Sequence, residues 1–150
     1  FDIDAAAIGE NTKCSNYIDQ STNALSNINW REVFEISGGC RVWINPPYSR
    51  GMVKLFMDKA RQQADERNTT TVLLVPATPE AAWWPERGEV RFITNGRVSF
   101  NHPITGKPVN GNTKGSALIV LRPFDEEITT QYVDRDSLKY KSELINKKAT

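Results

Sequence analysis

The chain has 150 residues and a mass of 16.9 kDa, 39% hydrophobic and 25% charged, which suits one globular domain with a real core and excludes a disordered chain. Lys and Arg total 19 against 18 Asp and Glu, so a net charge of +1 excludes nucleic-acid binding through bulk charge and leaves only a local basic face. No apolar stretch approaches a membrane span, no signal-like segment opens the chain, and Cys14 and Cys40 are too few for a disulfide framework or a cysteine-rich metal site.

In chain order, Phe1-Asp2-Ile3-Asp4 reads as the middle or end of a strand, without an initiating Met, so a segment upstream of it is expected. Three alanines follow, then a polar stretch over residues 9–16 and a short Tyr17-Ile18 segment. Arg41-Val42-Trp43-Ile44 is a strand after the turn pair Gly38-Gly39, stopped by Asn45-Pro46-Pro47 because consecutive prolines cannot donate ladder hydrogen bonds. Val53, Phe56, Met57, Ala60 and Ala64 recur at helical spacing, which predicts a helix capped by Ser49 and ending near residues 65–68. Thr71-Val72-Leu73-Leu74-Val75 has the nearly continuous apolar pattern of a strand buried on both faces, closed by Pro76.

Residues 90–94 and 97–100 flank Asn95-Gly96, a strong hairpin signal. A polar loop over residues 102–115 leads to the last core strand, Ala117-Leu118-Ile119-Val120-Leu121. From residue 125 onward a helix anchored by Ile128, Tyr132, Leu144 and Ile145 is expected, or else a basic frayed tail with Lys139, Lys141, Lys147 and Lys148. The chain thus divides into a domain over residues 1–124 and a helix or tail over 125–150. Alternation of strand and helix predicts an α/β sandwich with a mostly parallel sheet and an antiparallel hairpin near its end.

Ligands of open α/β sheets bind beyond the carboxyl ends of the strands, where the loops at residues 2–7 and 45–49 are expected. The second loop is chemically specific. Its prolines stiffen the backbone, so the Asn45 side-chain oxygen and the Pro46 carbonyl can face one NH2 group and accept both of its hydrogens. That draws the nitrogen lone pair out of conjugation and aims it at an electrophile. Tyr48 offers a flat face to the ring carrying the amine. A bare Pro-Pro turn would equally serve to end a strand.

The run Val42-Trp43-Ile44-Asn45-Pro46-Pro47-Tyr48 resembles motif IV of the S-adenosylmethionine-dependent amino-methyltransferases, which act on DNA adenine, RNA guanine or protein glutamine. The rest of the chain narrows the resemblance. Phe1-Asp2-Ile3-Asp4-Ala5-Ala6-Ala7, Asn11-Thr12-Lys13-Cys14, Tyr17, Leu25 and Trp30 come before the motif. Leu74-Val75-Pro76-Ala77, Trp83-Trp84, Arg91-Phe92-Ile93, Gly96-Arg97-Val98-Ser99-Phe100 and Ser116-Ala117 follow it. This order over residues 1–122 resembles the phage-type DNA N-6-adenine methyltransferases (Dam-like).

The resemblance implies a class I Rossmann-like methyltransferase fold, S-adenosyl-L-methionine as methyl donor, no metal, and a flipped-out adenine of double-stranded DNA as acceptor. It implies that Asn45, Pro46, Pro47 and Tyr48 form the catalytic loop and that Asp4, Ala5, Ala6, Asn11 and Asn23 line the donor pocket. Alanines stand where broader relatives have glycines, and Asn23 stands where an acid is frequent. The family's upstream segment with a Thr-Pro pair, which helps close the donor pocket, has no counterpart. Trp83 and Trp84 are candidates to wall the base pocket or touch the orphaned strand, and residues 101–115 to read sequence. The implied setting is the cytoplasm of a bacterial host carrying a phage or prophage. The rival readings are methylation of RNA or protein glutamine, and a truncated nucleic-acid-binding domain without turnover.

Overall fold

Alternating apolar side chains along residues 40–44 and a nearly unbroken apolar run after them build the centre of the sheet. β2 (Cys40–Ile44) pairs in parallel with β3 (Thr69–Pro76), Cys40 opposite Thr69 and Ile44 opposite Leu73. β1 (Ile3–Asp4) adds in parallel on the other side of β2, with Asp4 opposite Trp43. The computed structural model describes residues 1–7, 9, 11–101, 105, 107–109 and 114–138. Within these, β4 (Gly88–Thr94), β7 (Ser116–Leu121) and β8 (Ile128–Asp134) complete a six-stranded mixed sheet of order β1-β2-β3-β7-β4-β8. β7 runs antiparallel to both its neighbours, β3 and β4, and the other five strands share one direction. A separate antiparallel ladder joins β5 (Phe100–Asn101) to β6 (Pro108–Val109).

Helix α2 (Met52–Arg67) buries Val53, Phe56, Met57, Ala60 and Ala64, the stripe set by their helical spacing. Each larger side chain in that stripe contributes roughly 2 kcal/mol by leaving water. A short helix α1 (Trp30–Val33), absent from the sequence-based expectation, brings in Trp30, which is fully buried. Its indole Nε1 donates to the Ala24 carbonyl (2.9 Å), and its backbone N–H donates to Gln63 Oε1 (3.0 Å). That bond satisfies a glutamine buried in the apolar stripe of α2.

Three expectations need correction. Asn95 and Gly96 do take the positive φ angles, 62° and 107°, that a hairpin turn requires. No hairpin follows, because β7 and β8 already occupy both edges of β4, and residues 97–99 join no strand. Ser49 is not the helix cap. The N-cap is Gly51 at φ 80°, and Ser49 contributes only its carbonyl, which accepts from the Met52 N–H (3.1 Å). The segment expected as helix or tail from residue 125 is strand β8 across Ile128–Asp134, in the same sheet as the rest. A four-residue gap between Ile128 and Tyr132 fits a period of 2 as well as 3.6, and the β-branched composition decides for strand. Residues 139–150 and most of the 102–115 loop, His102 included, lie outside the described residues.

Candidate active site

The parallel pairing of β1 with β2 brings two loops side by side. Continuing the register past Asp4–Trp43 sets Ala6 level with Asn45, and Ala5 N–H donates to the Trp43 carbonyl (3.0 Å). Neighbouring strands lie about 5 Å apart, so the two loops leave the sheet at about that separation. In the second loop Asn45 is half-buried, Pro46 is buried, and Pro47 and Tyr48 are exposed. Among the described residues, neither the Asn45 carboxamide nor the Pro46 carbonyl takes a hydrogen bond. The Tyr48 hydroxyl donates to the Leu74 carbonyl of β3 (3.0 Å), while the residue remains 42% exposed. Burial pushes its phenol well above the ordinary tyrosine range, so it stays protonated and serves as a donor rather than a base.

The first loop is organised by Asp4, which is buried. Its Oδ2 accepts from the Lys13 N–H (2.8 Å) and its Oδ1 from the Ala6 N–H (3.3 Å). Burial raises the carboxyl above its usual range, opposed by these two backbone bonds. Ala5 and Ala7 are buried, and Ala6 is half-buried. Asn11 is exposed further along the same polar stretch. Asn23 lies apart, exposed at φ 56°, with its Oδ1 accepting from the Leu25 N–H (3.1 Å) in a local turn.

One further carboxylate at this edge, not singled out from the sequence, is Asp19. Tyr17 bridges to Asp4 in parallel, Ile18 N–H donates to the Asp4 carbonyl (2.8 Å), and Ala7 N–H donates to that of Ile18 (3.2 Å). This minimal extra strand flanks β1, and Asp19 stands just past its end. Hydrogen bonds from Ser21, first from its hydroxyl, and from the Thr22 N–H hold the Asp19 carboxyl below its usual range. The available signal was an apolar pair followed by an acid, too short to weigh alone.

A cleft of about 320 Å³ opens beside the acceptor loop, bounded by Tyr48, Ser49, Val53, Pro76, Glu80 and Trp83. A volume of that order accepts a nucleobase-sized ring. Asn45 and Asp4 do not line it. Trp83 and Trp84 are both half-buried and pack against the core. Trp83 also borders a second cleft of about 300 Å³, with Arg61 and Arg87 on its wall. Among the described residues no three His, Cys, Asp or Glu side chains gather as a metal site, and no helix is long and apolar enough to cross a membrane.

Fold and loops together define an α/β protein with a mixed six-stranded sheet, whose Asp4 and Asn45 loops leave the carboxyl ends of adjacent parallel strands, the place where open α/β sheets bind ligands. The chain belongs to the DNA N-6-adenine-methyltransferase (Dam) family, whose model matches residues 1–145. It is 34% identical over 144 residues to a DNA N-6-adenine-methyltransferase of Escherichia phage T1, covering 84% of this chain and 56% of that protein. It is 29% identical over 150 residues to a DNA N-6-adenine-methyltransferase of Haemophilus phage HP1 (strain HP1c1), covering 96% of this chain and 81% of that protein. The chain therefore spans little more than half the length of the T1 relative. No solved structure matches it.

Proposed function

We propose that this chain transfers a methyl group from S-adenosyl-L-methionine to the N6 amine of an adenine turned out of double-stranded DNA, as the names of its phage relatives suggest. The observation that carries the reading is a pair of acceptors without a partner among the described residues, Asn45 Oδ1 and the Pro46 carbonyl, on a stiff loop beside the Asp4 loop. The amine's two hydrogens bond these acceptors, which localises the lone pair on nitrogen. Tyr48, fixed at its tip by Leu74, stacks on the base and offsets part of the few kcal/mol spent in unstacking it. Pro47 holds the turn.

S-adenosyl-L-methionine supplies, when bound, an electrophilic methyl on a sulfonium. The residues present fit it: Ala5 and Ala6 leave room for close approach at the backbone, and Asp4 places a buried carboxylate near a cationic ligand. Asp19 and Asn23 are the acceptors offered to ribose hydroxyls, and Asn11 lines the outer wall. Five strands of one direction, with both ligand loops at the carboxyl ends of two of them, support the class I Rossmann-like reading. Rate then comes from positioning nitrogen and methyl in line. The phage origin of the relatives supports a setting in the cytoplasm of a bacterial host.

The chain incubated with labelled S-adenosylmethionine and adenine-containing duplex is expected to yield N6-methyladenine on digestion. Asn45→Ala is expected to lower the rate by about a hundredfold or more, the scale for losing one preorganised hydrogen-bonding group at a reacting centre. Transfer to RNA or to a glutamine peptide but not to DNA would overturn the acceptor assignment. DNA binding with no turnover on any acceptor would favour a non-catalytic module.

A further inference from the structure

We propose that β8 is a dimerisation edge, through which two copies of this chain pair antiparallel about Gln131 and join their six-stranded sheets into one. β8 is the last strand in the sheet order, and its residues 128–132 and 134 are exposed. Natural edge strands are usually blunted by lysine, proline, a bulge or a covering element. Ile128-Thr129-Thr130-Gln131-Tyr132-Val133-Asp134 carries a single charge, at its end, and no proline.

The hydrogen-bonding direction is fixed by β4. Gly88 lies opposite Ile128 in parallel register, and its N–H donates to the Glu127 carbonyl (2.9 Å). In a parallel ladder this assigns the odd-numbered residues of β8 to β4 and turns the N–H and C=O of Ile128, Thr130, Tyr132 and Asp134 toward the edge away from β4, where no described strand pairs. The Asp134 carbonyl accepts from Ser137 Oγ (2.8 Å). For the other three, no bond from a described residue occupies the outward groups.

A second copy of the same strand satisfies this edge. Centring the two-fold on Gln131, the midpoint of the strand, sets Thr130 opposite Tyr132 and Thr129 opposite Val133. It is also the centre that pairs the whole strand, with Ile128 opposite Asp134. Shifting the centre to Thr130 would leave Val133 and Asp134 beyond the paired strand, so strand length selects the first register. The side-chain face adds an independent argument. Trp84 stacks on Phe92 (5.9 Å, 19°) and Phe92 on Tyr132 (5.8 Å, 30°), whose residue is 74% exposed. In the Gln131-centred register the two Tyr132 side chains become diagonal neighbours, within aromatic reach. The ring stack of one copy then continues into the other.

Gln131 faces its own symmetry mate, so charging it tests edge and register at once. The wild-type chain is expected to sediment as a dimer at micromolar concentration. Gln131→Lys and Gln131→Glu should each weaken the dimer by at least about tenfold, since like charges then stand directly opposed. An equimolar mixture of the two variants should recover it. Because Gln131 is exposed, thermal unfolding of either variant at dilutions where wild type is monomeric should match wild type, which separates lost pairing from lost folding. A wild-type chain that stays monomeric, or variants that dimerise as tightly as wild type, would overturn the proposal.

Discussion

Tyr48 divides its work between the two ends of one side chain. The hydroxyl is tied to the Leu74 carbonyl, while the ring stays partly open to the cleft. Removing only the hydroxyl should therefore cost about 1 kcal/mol of stability, the net worth of one neutral hydrogen bond, and leave stacking in place. Tyr48→Phe is expected to melt slightly earlier and to keep transfer within a few-fold of wild type. Tyr48→Ala removes the platform, and base stacking of about 1–3 kcal/mol corresponds to a loss of roughly ten- to a hundredfold in kcat/KM. Paired melting curves and transfer rates check both. If Tyr48→Phe were as damaged as Tyr48→Ala, the hydroxyl and not the ring would be the functional part.

At the scale of elements, β4 and β7 are held together by more than their ladder. Glu89 of β4 is only 6% exposed, yet its carboxylate accepts from Arg91 Nε on its own strand and from Arg122 Nη1 (2.8 Å) just beyond β7. These bonds, that of Arg91 first, hold its carboxyl below the ordinary 4.5. A carboxyl depressed on folding adds stability above its unfolded value and loses it as pH falls through the folded one. Both arginines are partly exposed, so solvent screens the pairs, and Glu89→Gln is expected to cost about 1–2 kcal/mol at neutral pH. The gap between wild type and variant should close as pH drops below 4.5, which denaturant titrations at several pH values would measure. A gap independent of pH would remove charge from the account.

What could be read beforehand follows the range of the physical constraint. Asn45-Pro46-Pro47 was legible as the stop of β2 because proline acts on its own backbone, and the stripe of α2 because it repeats over about three turns. The Asn95-Gly96 turn was legible as a turn, but its hairpin was not, since edge occupancy depends on β7 and β8 arriving from far along the chain. Trp30 could be noticed but not placed without its partner Gln63, thirty-three residues away. Asp19 was lost because a two-residue bridge has no periodicity to detect.

For the whole molecule, the loops proposed to take donor and acceptor follow adjacent strands but are anchored separately. Asp4 ties the first to Ala6 and Lys13, and Tyr48 ties the second to β3. The two binding events should therefore separate by mutation. A donor at about a hundred times its dissociation constant adds roughly 2.7 kcal/mol to stability, which for a chain of this size raises Tm by about 5–10 °C. Asn45→Ala should keep that rise while losing methyl transfer. Ala6→Leu, which fills the half-buried position level with Asn45, should lose the rise while melting close to wild type without ligand. Thermal unfolding of the three chains with and without S-adenosylmethionine decides it. Loss of the rise in Asn45→Ala would mean that the two loops form one pocket, and its survival in Ala6→Leu would move the donor away from β1.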